Sequence, residues 1–336
     1  MSRVGVIGGG SWGTALANLL AGNGHEVRLW VRDPALARTL ERERRNPVYL
    51  PGIRVSDRVA PGSDLVAAVA GSEVIVSALP SHATRQVMEL AAGSLDPEAL
   101  VVSTSKGIEN DTLARMTEVL AEVLPAGVED RTAVLSGPSF AIEVARGYPT
   151  AVTAAAADLD VAEQTRDLFA NPRFRVYTST DVVGVELGGA VKNIVAIAAG
   201  ICDGLRYGNN ARAALITRGI AEIARLGVAL GGEPPTFMGL SGLGDLILTS
   251  TTDLSRNRTV GLRVGAGETV EEIQADMRMV AEGVRTTRSV RDLARRHDVE
   301  MPITEEVHSM LYEGKDPRSS VEDLMTREFK PEFERR

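Results

Sequence analysis

RVGVIGGGSWGTALANLLAGNGHEVRLWVRD, residues 3–33, switches pattern twice within one stretch. Val4, Val6 and Ile7 make a short apolar strand. Gly8-x-Gly10-x-x-Gly13 follows. TALANLLAGNG then reads as a helix that stops at a glycine, and HEVRLWV as a second strand. Glycines placed between a strand and a helix allow a tight turn, and they let backbone N–H groups approach a pyrophosphate at the helix N-terminus. The spacing alone would carry little; the strand–helix context gives it weight. The stretch predicts a βαβ unit with Gly8, Gly10 and Gly13 in a phosphate-binding loop.

In this fingerprint an acidic residue about 20 positions further on takes the adenosine ribose hydroxyl. Here that slot falls at Arg32, with Asp33 beside it. A guanidinium suits a 2′-phosphate, which favours NADP(H) over NAD(H). Asp33 keeps NAD(H) open, and a solvated Arg–Asp pair opening a helix is a third option.

The alternation continues. EVIVSALP is a strand and ATRQVMELAAG a helix. ALVVSTSKGIE is a strand whose loop carries Lys106. RTAVLSGPSFAIEVARG is a strand, then Ser136-Gly137-Pro138-Ser139, then a helix start. PTAVTAAAA and FRVYTST are further strands. This rhythm predicts an α/β fold with a doubly wound, mostly parallel, Rossmann-type sheet over residues 1–180. Ligands in such sheets bind outside the carboxyl ends of the strands, where the loops at His82, Lys106 and Ser136–Ser139 emerge.

After about residue 180 the strand pattern stops, and residues 181–336 read as an all-α domain. TDVVGVELGGAVKNIVAIAAGICDGLRYG starts at Thr180-Asp181 and is apolar on every face, so it is predicted to be a buried spine. Further helices are expected at 210–230, 237–250, 270–276, 284–297, 303–312 and 319–327. Lys192 is the one lysine in the spine. Its neighbours at three and four positions are Gly188, Gly189, Val195 and Ala196, none of which can pair with an ammonium. The two glycines leave space beside it for a ligand. One reading is a desolvated lysine that exchanges a proton with a substrate. The other is a lysine that snorkels to solvent or pairs with a distant carboxylate. A second cluster is LSGLGDLILTSTTDLSRNRTVG, 240–261. Asp245 opens a helix and shares a face with Thr249, and Ser255-Arg256-Asn257-Arg258 offers a set suited to a phosphate monoester.

The composition sets bounds. At 336 residues, 44% hydrophobic and 24% charged, the chain fits about two ordinary globular domains. A net charge of −8 argues against nucleic acid or an anionic membrane as main partner. The single cysteine, Cys202, excludes an intrachain disulfide and fits a reducing cytoplasm; it reads as a small core residue. MSRVGVIGGG passes directly into a strand, so no signal peptide is read there, and Val185–Cys202 reads as a core helix rather than a membrane span. His25, His82, His297, His308 and Cys202 show no metal-ligand spacing, so no metal is expected.

GGGSWGTALA, STSKGIE, LSGPSFA, ELGGAVKNIVAIAAGICDGL, GLSGLGDLILT and SRNRTVG, in this order, resemble the bacterial NAD(P)-dependent sn-glycerol-3-phosphate dehydrogenases. The resemblance runs from Val4 to the charged C-terminal helix. It implies reversible reduction of dihydroxyacetone phosphate to sn-glycerol 3-phosphate, feeding phospholipid synthesis, by a cytoplasmic homodimer. It implies that Lys192 gives and takes the proton at the C2 oxygen, that Asp245 orients it with Thr249 nearby, and that Lys106 touches substrate and cofactor. Gly137, Ser139 and Asn193 would line the substrate site. Ser255, Arg256 and Asn257 would hold the phosphate, with Arg256 also on the cofactor. Ser11, Trp12, Arg32, Tyr49, Ala141, Val280 and Glu282 match cofactor-contact positions. Ketopantoate-type or 3-hydroxyacid reductases, which share this architecture and a helix-borne lysine, are the rival; their unphosphorylated substrates need no Arg256-Asn257 pair.

Overall fold

The structure, a computed structural model, describes residues 1–277 and 281–332. Its strands are β1 (Arg3–Ile7), β2 (Glu26–Trp30), β3 (Arg45–Asn46), β4 (Leu50–Arg54), β5 (Val59–Gly62), β6 (Val74–Ser77), β7 (Leu100–Ser103), β8 (Thr132–Ser136), β9 (Thr150–Ala156) and β10 (Phe174–Ser179). Helices α1 (Ser11–Gly22), α2 (Pro34–Glu43), α3 (Leu65–Val69), α4 (Ser81–Ala92), α5 (Met116–Val123), α6 (Ala141–Ala145) and α7 (Leu159–Phe169) lie between them.

Eight strands form one sheet in the order β10-β9-β8-β7-β6-β1-β2-β5. From β8 to β5 every pairing is parallel, and β1, β6 and β7 are buried along almost their whole length, so they read as continuous Val/Ile runs. β9 runs antiparallel to β8. The cause is the short α6: five residues cannot carry the chain back across the sheet, so β9 starts from the edge where β8 ends. β3 and β4 form a separate small hairpin that the sequence pattern did not announce.

Beyond Ser179 the structure is helical: α8 (Val182–Gly204), α9 (Gly208–Ala229), α10 (Pro234–Phe237), α11 (Asp245–Thr251), α12 (Arg256–Gly265), α13 (Val270–Asp276), α14 (Glu282–Arg296), α15 (Pro302–Tyr312) and α16 (Pro317–Thr326). Asp181 caps α8 through the Gly184 amide at 2.8 Å and also accepts from the Glu233 amide at 2.8 Å. α8 is long and apolar enough to cross a membrane, but 89% of its apolar window is buried by the surrounding helices. Val185 at its start packs on Val134 of β8 and Ala155 of β9.

One helical expectation needs correction, and one helix is new. The single helix at 237–250 is broken into α10, a π-helical turn at Leu240–Gly244, and α11. Gly242 explains the break, since a Cβ there would lie 2.1 Å from the Phe237 carbonyl. The expected helices leave 251–269 without an element, yet Ser255 caps α12 there by accepting from the Arg258 amide at 3.2 Å.

Candidate active site

The glycine loop is built as a cradle. Gly8 has φ of +124°, and a Cβ on Gly13 would lie 1.8 Å from the Gly8 carbonyl, so both positions exclude a side chain. A Cβ on Gly10 would meet nothing within 4 Å, and no side chain caps the N-terminus of α1. The start of this helix therefore has room beside Gly10 and no side-chain cap, which fits the pyrophosphate of a nicotinamide dinucleotide. Ser11 Oγ donates to the Tyr49 carbonyl at 2.5 Å, and Trp12 and Tyr49 pack on the sheet core. Asn46, fully buried on β3, donates to the Gly9 carbonyl at 3.0 Å and to Thr14 Oγ1 at 2.9 Å, and it accepts from the Tyr49 amide at 3.0 Å. Asn46 thus fixes the loop, and nothing in the sequence pattern marked it.

Arg32 and Asp33 are both exposed past the end of β2. Asp33 caps α2 by accepting from the Ala35 amide at 2.8 Å, which turns its carboxylate toward the helix. Ala141 begins α6, and Val280 lies outside the described residues.

The second centre is charged and buried. Lys192 is 6% exposed and Asp245 1% exposed. Lys192 Nζ donates to Asp245 Oδ1 at 2.6 Å and to Thr249 Oγ1 at 2.5 Å. Lys106 Nζ donates to Asp245 Oδ2 at 2.6 Å and to the Gly137 carbonyl at 3.0 Å. One carboxylate thus bridges two ammoniums, brought from the β7 loop and α8, and the group carries a net positive charge. Burial pulls the Lys192 pKa down to about 8, with Asp245 opposing the shift and Lys106 adding to it. For Asp245, burial acts to raise the carboxyl, but the two lysines outweigh it and hold the pKa below the usual range. An ammonium with a pKa near neutrality can give up or take a proton at modest cost.

The glycines beside Lys192 serve another end than the one expected. A Cβ on Gly188 would lie 2.9 Å from the Ser241 carbonyl, and one on Gly189 would lie 2.6 Å from Ser136 Oγ. They admit the 240–244 turn and the end of β8, with the Lys106 side chain beside it. The partner of Lys192 comes from α11, which neighbours on its own helix could not reveal.

Ser139 Oγ donates to the Gly137 carbonyl at 2.9 Å. Asn257 Nδ2 donates to Asn193 Oδ1 at 2.9 Å, while Asn257 Oδ1 accepts from the Gly283 amide at 3.0 Å, so a buried amide chain joins α8, α12 and α14. Arg256 is exposed at the start of α12, and its charge acts on the half-buried Glu282 carboxyl. Glu282 Oε1 accepts from the Ser81 amide at 3.3 Å. Arg258 is bound to Asp203 at 2.7 Å and to Asp253 at 2.7 Å, so its guanidinium is committed to structure. Cys202 is buried, and burial lifts its thiol to about 11, which makes it a poor nucleophile.

A dinucleotide cradle at the carboxyl edge of a parallel sheet, with a buried lysine of lowered pKa on a helical spine, defines a nicotinamide-dependent oxidoreductase. Residues 3–162 match the family model for the N-terminus of NAD-dependent glycerol-3-phosphate dehydrogenase, and residues 181–322 match that for its C-terminus. The chain belongs to the NAD-dependent glycerol-3-phosphate dehydrogenase family. It is 54% identical over 330 residues to the glycerol-3-phosphate dehydrogenase [NAD(P)+] of Citrifermentans bemidjiense, covering 98% of each chain. It superposes on the glycerol-3-phosphate dehydrogenase of Coxiella burnetii with a TM-score of 0.92 at 40% identity, covering 97% of this chain and 99% of that one. A ketopantoate reductase from Ralstonia eutropha matches with a TM-score of 0.61 at 17% identity, covering 95% and 99%; that likeness is one of fold.

Proposed function

We propose that the chain reduces dihydroxyacetone phosphate reversibly to sn-glycerol 3-phosphate, the entry metabolite of phospholipid synthesis, with NADPH preferred to NADH. It would act as a cytoplasmic homodimer of two-domain subunits, divided as 1–180 and 181–336. The observation that carries this reading is the buried Lys106–Asp245–Lys192 bridge, a net cation. The nicotinamide cofactor, when bound, supplies the reducing equivalent. The protein's own residues handle the proton and the charge. Lys192 donates a proton to the C2 oxygen, and Asp245 and Thr249 hold its ammonium in place. Lys106 places a second positive charge where the alkoxide forms. Gly137, Ser139 and Asn193 line the carbonyl end of the substrate. Ser255, Arg256 and Asn257 take the phosphate, with Arg256 forming the charged contact and Asn257 fixing Asn193. Gly8, Gly10, Gly13, Ser11, Trp12, Arg32, Tyr49, Ala141, Val280 and Glu282 hold the cofactor.

The test follows NADPH oxidation with dihydroxyacetone phosphate, with its unphosphorylated parent, and with ketopantoate. Turnover with the first alone supports the reading. Equal turnover with dihydroxyacetone, or preference for ketopantoate, rejects it.

A further inference from the structure

Basic side chains from three elements gather at one rim of the cleft. The loops after β2, β1 and β6 pack on one another: a Cβ on Gly9 would lie 2.7 Å from the Val31 side chain, and one on Gly8 would lie 2.5 Å from the Ala78 carbonyl. Arg32 follows Val31, and His82 is the second residue of α4. α14 lies across this edge. Its Glu282 accepts from the Ser81 amide, and a Cβ on Gly107 would lie 2.5 Å from Ser81 Oγ and 3.4 Å from Thr286 Oγ1. Arg285 follows Glu282 by three residues, one turn along α14 and neighbouring it on the helix surface. Glu282 feels Arg256, Lys106 and Lys192, whereas Arg285 acts on His82 and Tyr312.

His82 reports how close the rim is. Partial burial, then Arg285, then Arg32 lower its pKa below the usual imidazole value. Arg32 and Arg285 are exposed, and neither makes a hydrogen bond or ion pair with any described residue. Asp33, the nearest acid in sequence to Arg32, is occupied as the cap of α2. Guanidiniums beside one imidazole repel its protonated form, and a bound dianion offsets that repulsion.

We propose that Arg285 and His82 complete, with Arg32, a binding site for the 2′-phosphate of NADPH, so that the helical part of the chain takes part in cofactor choice. The inference rests on the cofactor reading given above. NADH presents only a hydroxyl at this position and gains little from the three groups.

The experiment is calorimetry of the full chain with adenosine 2′,5′-bisphosphate and with AMP, for wild type, Arg285→Gln, Arg32→Gln and Arg288→Gln. Wild type should bind the bisphosphate more tightly than AMP. Arg285→Gln and Arg32→Gln should each weaken the bisphosphate by at least about tenfold, the loss of one charged hydrogen bond, and AMP by less than about twofold. Arg288→Gln, exposed three residues further along α14, should leave both unchanged. Equal loss of both nucleotides in Arg285→Gln assigns it a structural role and overturns the proposal. Equal effects of Arg285→Gln and Arg288→Gln reduce it to a diffuse field and overturn it too. Wild type that reduces dihydroxyacetone phosphate yet shows no preference for the bisphosphate overturns this inference alone. Wild type that binds neither nucleotide rejects the cofactor reading beneath it.

Discussion

Lys192 carries opposing forces within one side chain. Burial disfavours its charge, while Asp245 and Thr249 hold the charged form in place. In the proposed reaction Lys192→Met removes the proton donor and keeps the volume. Turnover should fall about 10²–10⁴-fold with NADPH affinity nearly unchanged, measured by steady-state assay beside cofactor titration. The pKa near 8 fixes the sign of the pH dependence. Reduction needs the ammonium, so kcat/KM for dihydroxyacetone phosphate should be level below about pH 8 and fall above it. Oxidation of glycerol 3-phosphate needs the free amine, so its rate should rise toward pH 8. Parallel profiles in the two directions would remove Lys192 from the proton transfer. Arg256 makes a separate claim. Arg256→Leu should weaken dihydroxyacetone phosphate about 10- to 150-fold, equivalent to losing roughly 1.5–3 kcal/mol. Unphosphorylated dihydroxyacetone should be unaffected, with NADPH binding measured alongside to separate the two contacts.

At the scale of elements, the closest packing lies between α8 and α12. Each helix carries two glycines four residues apart, 200 and 204 on α8, 261 and 265 on α12. A Cβ on Gly200 would lie 2.1 Å from the Arg258 carbonyl, and one on Gly261 would lie 1.9 Å from the Ile197 carbonyl. Backbone meets backbone here, with no flexible side chain to yield. Gly261→Ala should cost at least about 2 kcal/mol in urea unfolding, and it should also disturb Asn257, one turn earlier, and hence Asn193. Gly22→Ala, in α1 with nothing within 4 Å, should be neutral or stabilise by up to about 1 kcal/mol. This contact shows where sequence reading reaches and stops. The glycine spacings are visible in GICDG and GLRVG, but periodicity gives no sign of which helix each one meets. α12 itself is hidden because Ser-Arg-Asn-Arg looks like solvated loop until Ser255 is seen as a cap. The βαβ start is fully legible because its glycines act locally. Asp245 is legible as a helix start, yet its bond to Lys192 spans 53 residues and depends on the packing of α11 against α8. Asn46 is legible at no level, since a buried asparagine on a two-residue strand has no pattern around it.

On the scale of the whole molecule, polar contacts join sheet and helices alongside the apolar packing of Val185 on β8 and β9. Lys106 to Asp245 and Ser81 to Glu282 are two such ties, and both are built from candidate site residues or their neighbours. A third tie lies away from the site. Glu186 of α8, 7% exposed, accepts from Arg115 Nη1 at 2.8 Å, from the Thr117 amide at 2.9 Å and from Thr117 Oγ1 at 2.7 Å. It anchors the start of α5 to the spine. Burial raises the Glu186 carboxyl above its usual value, with Arg115 and Thr117 acting against the shift. Removing the group leaves Arg115 and the Thr117 amide without this partner in a low-dielectric interior, where breaking a buried pair costs about 3–5 kcal/mol. Glu186→Ala should therefore lower the melting temperature by roughly 6–20 °C, at about 2–4 °C per kcal/mol as for a domain of about 150–250 residues. Glu186→Gln keeps a carbonyl for the Thr117 amide, but its NH2 replaces the oxygen that accepts from Arg115 Nη1 and Thr117 Oγ1. It should therefore recover only part of the lost stability, the part carried by the Thr117 amide. Both variants keep Lys192, Asp245 and the glycine loop, so their KM for NADPH should stay within about twofold of wild type at 25 °C, where an added 3–5 kcal/mol still leaves most molecules folded. Calorimetric melts of the three proteins, paired with cofactor titrations, decide the matter. If Glu186→Ala melts like wild type, the tie contributes nothing; if it loses NADPH at a temperature where it is folded, Glu186 sets the cleft geometry as well as the stability.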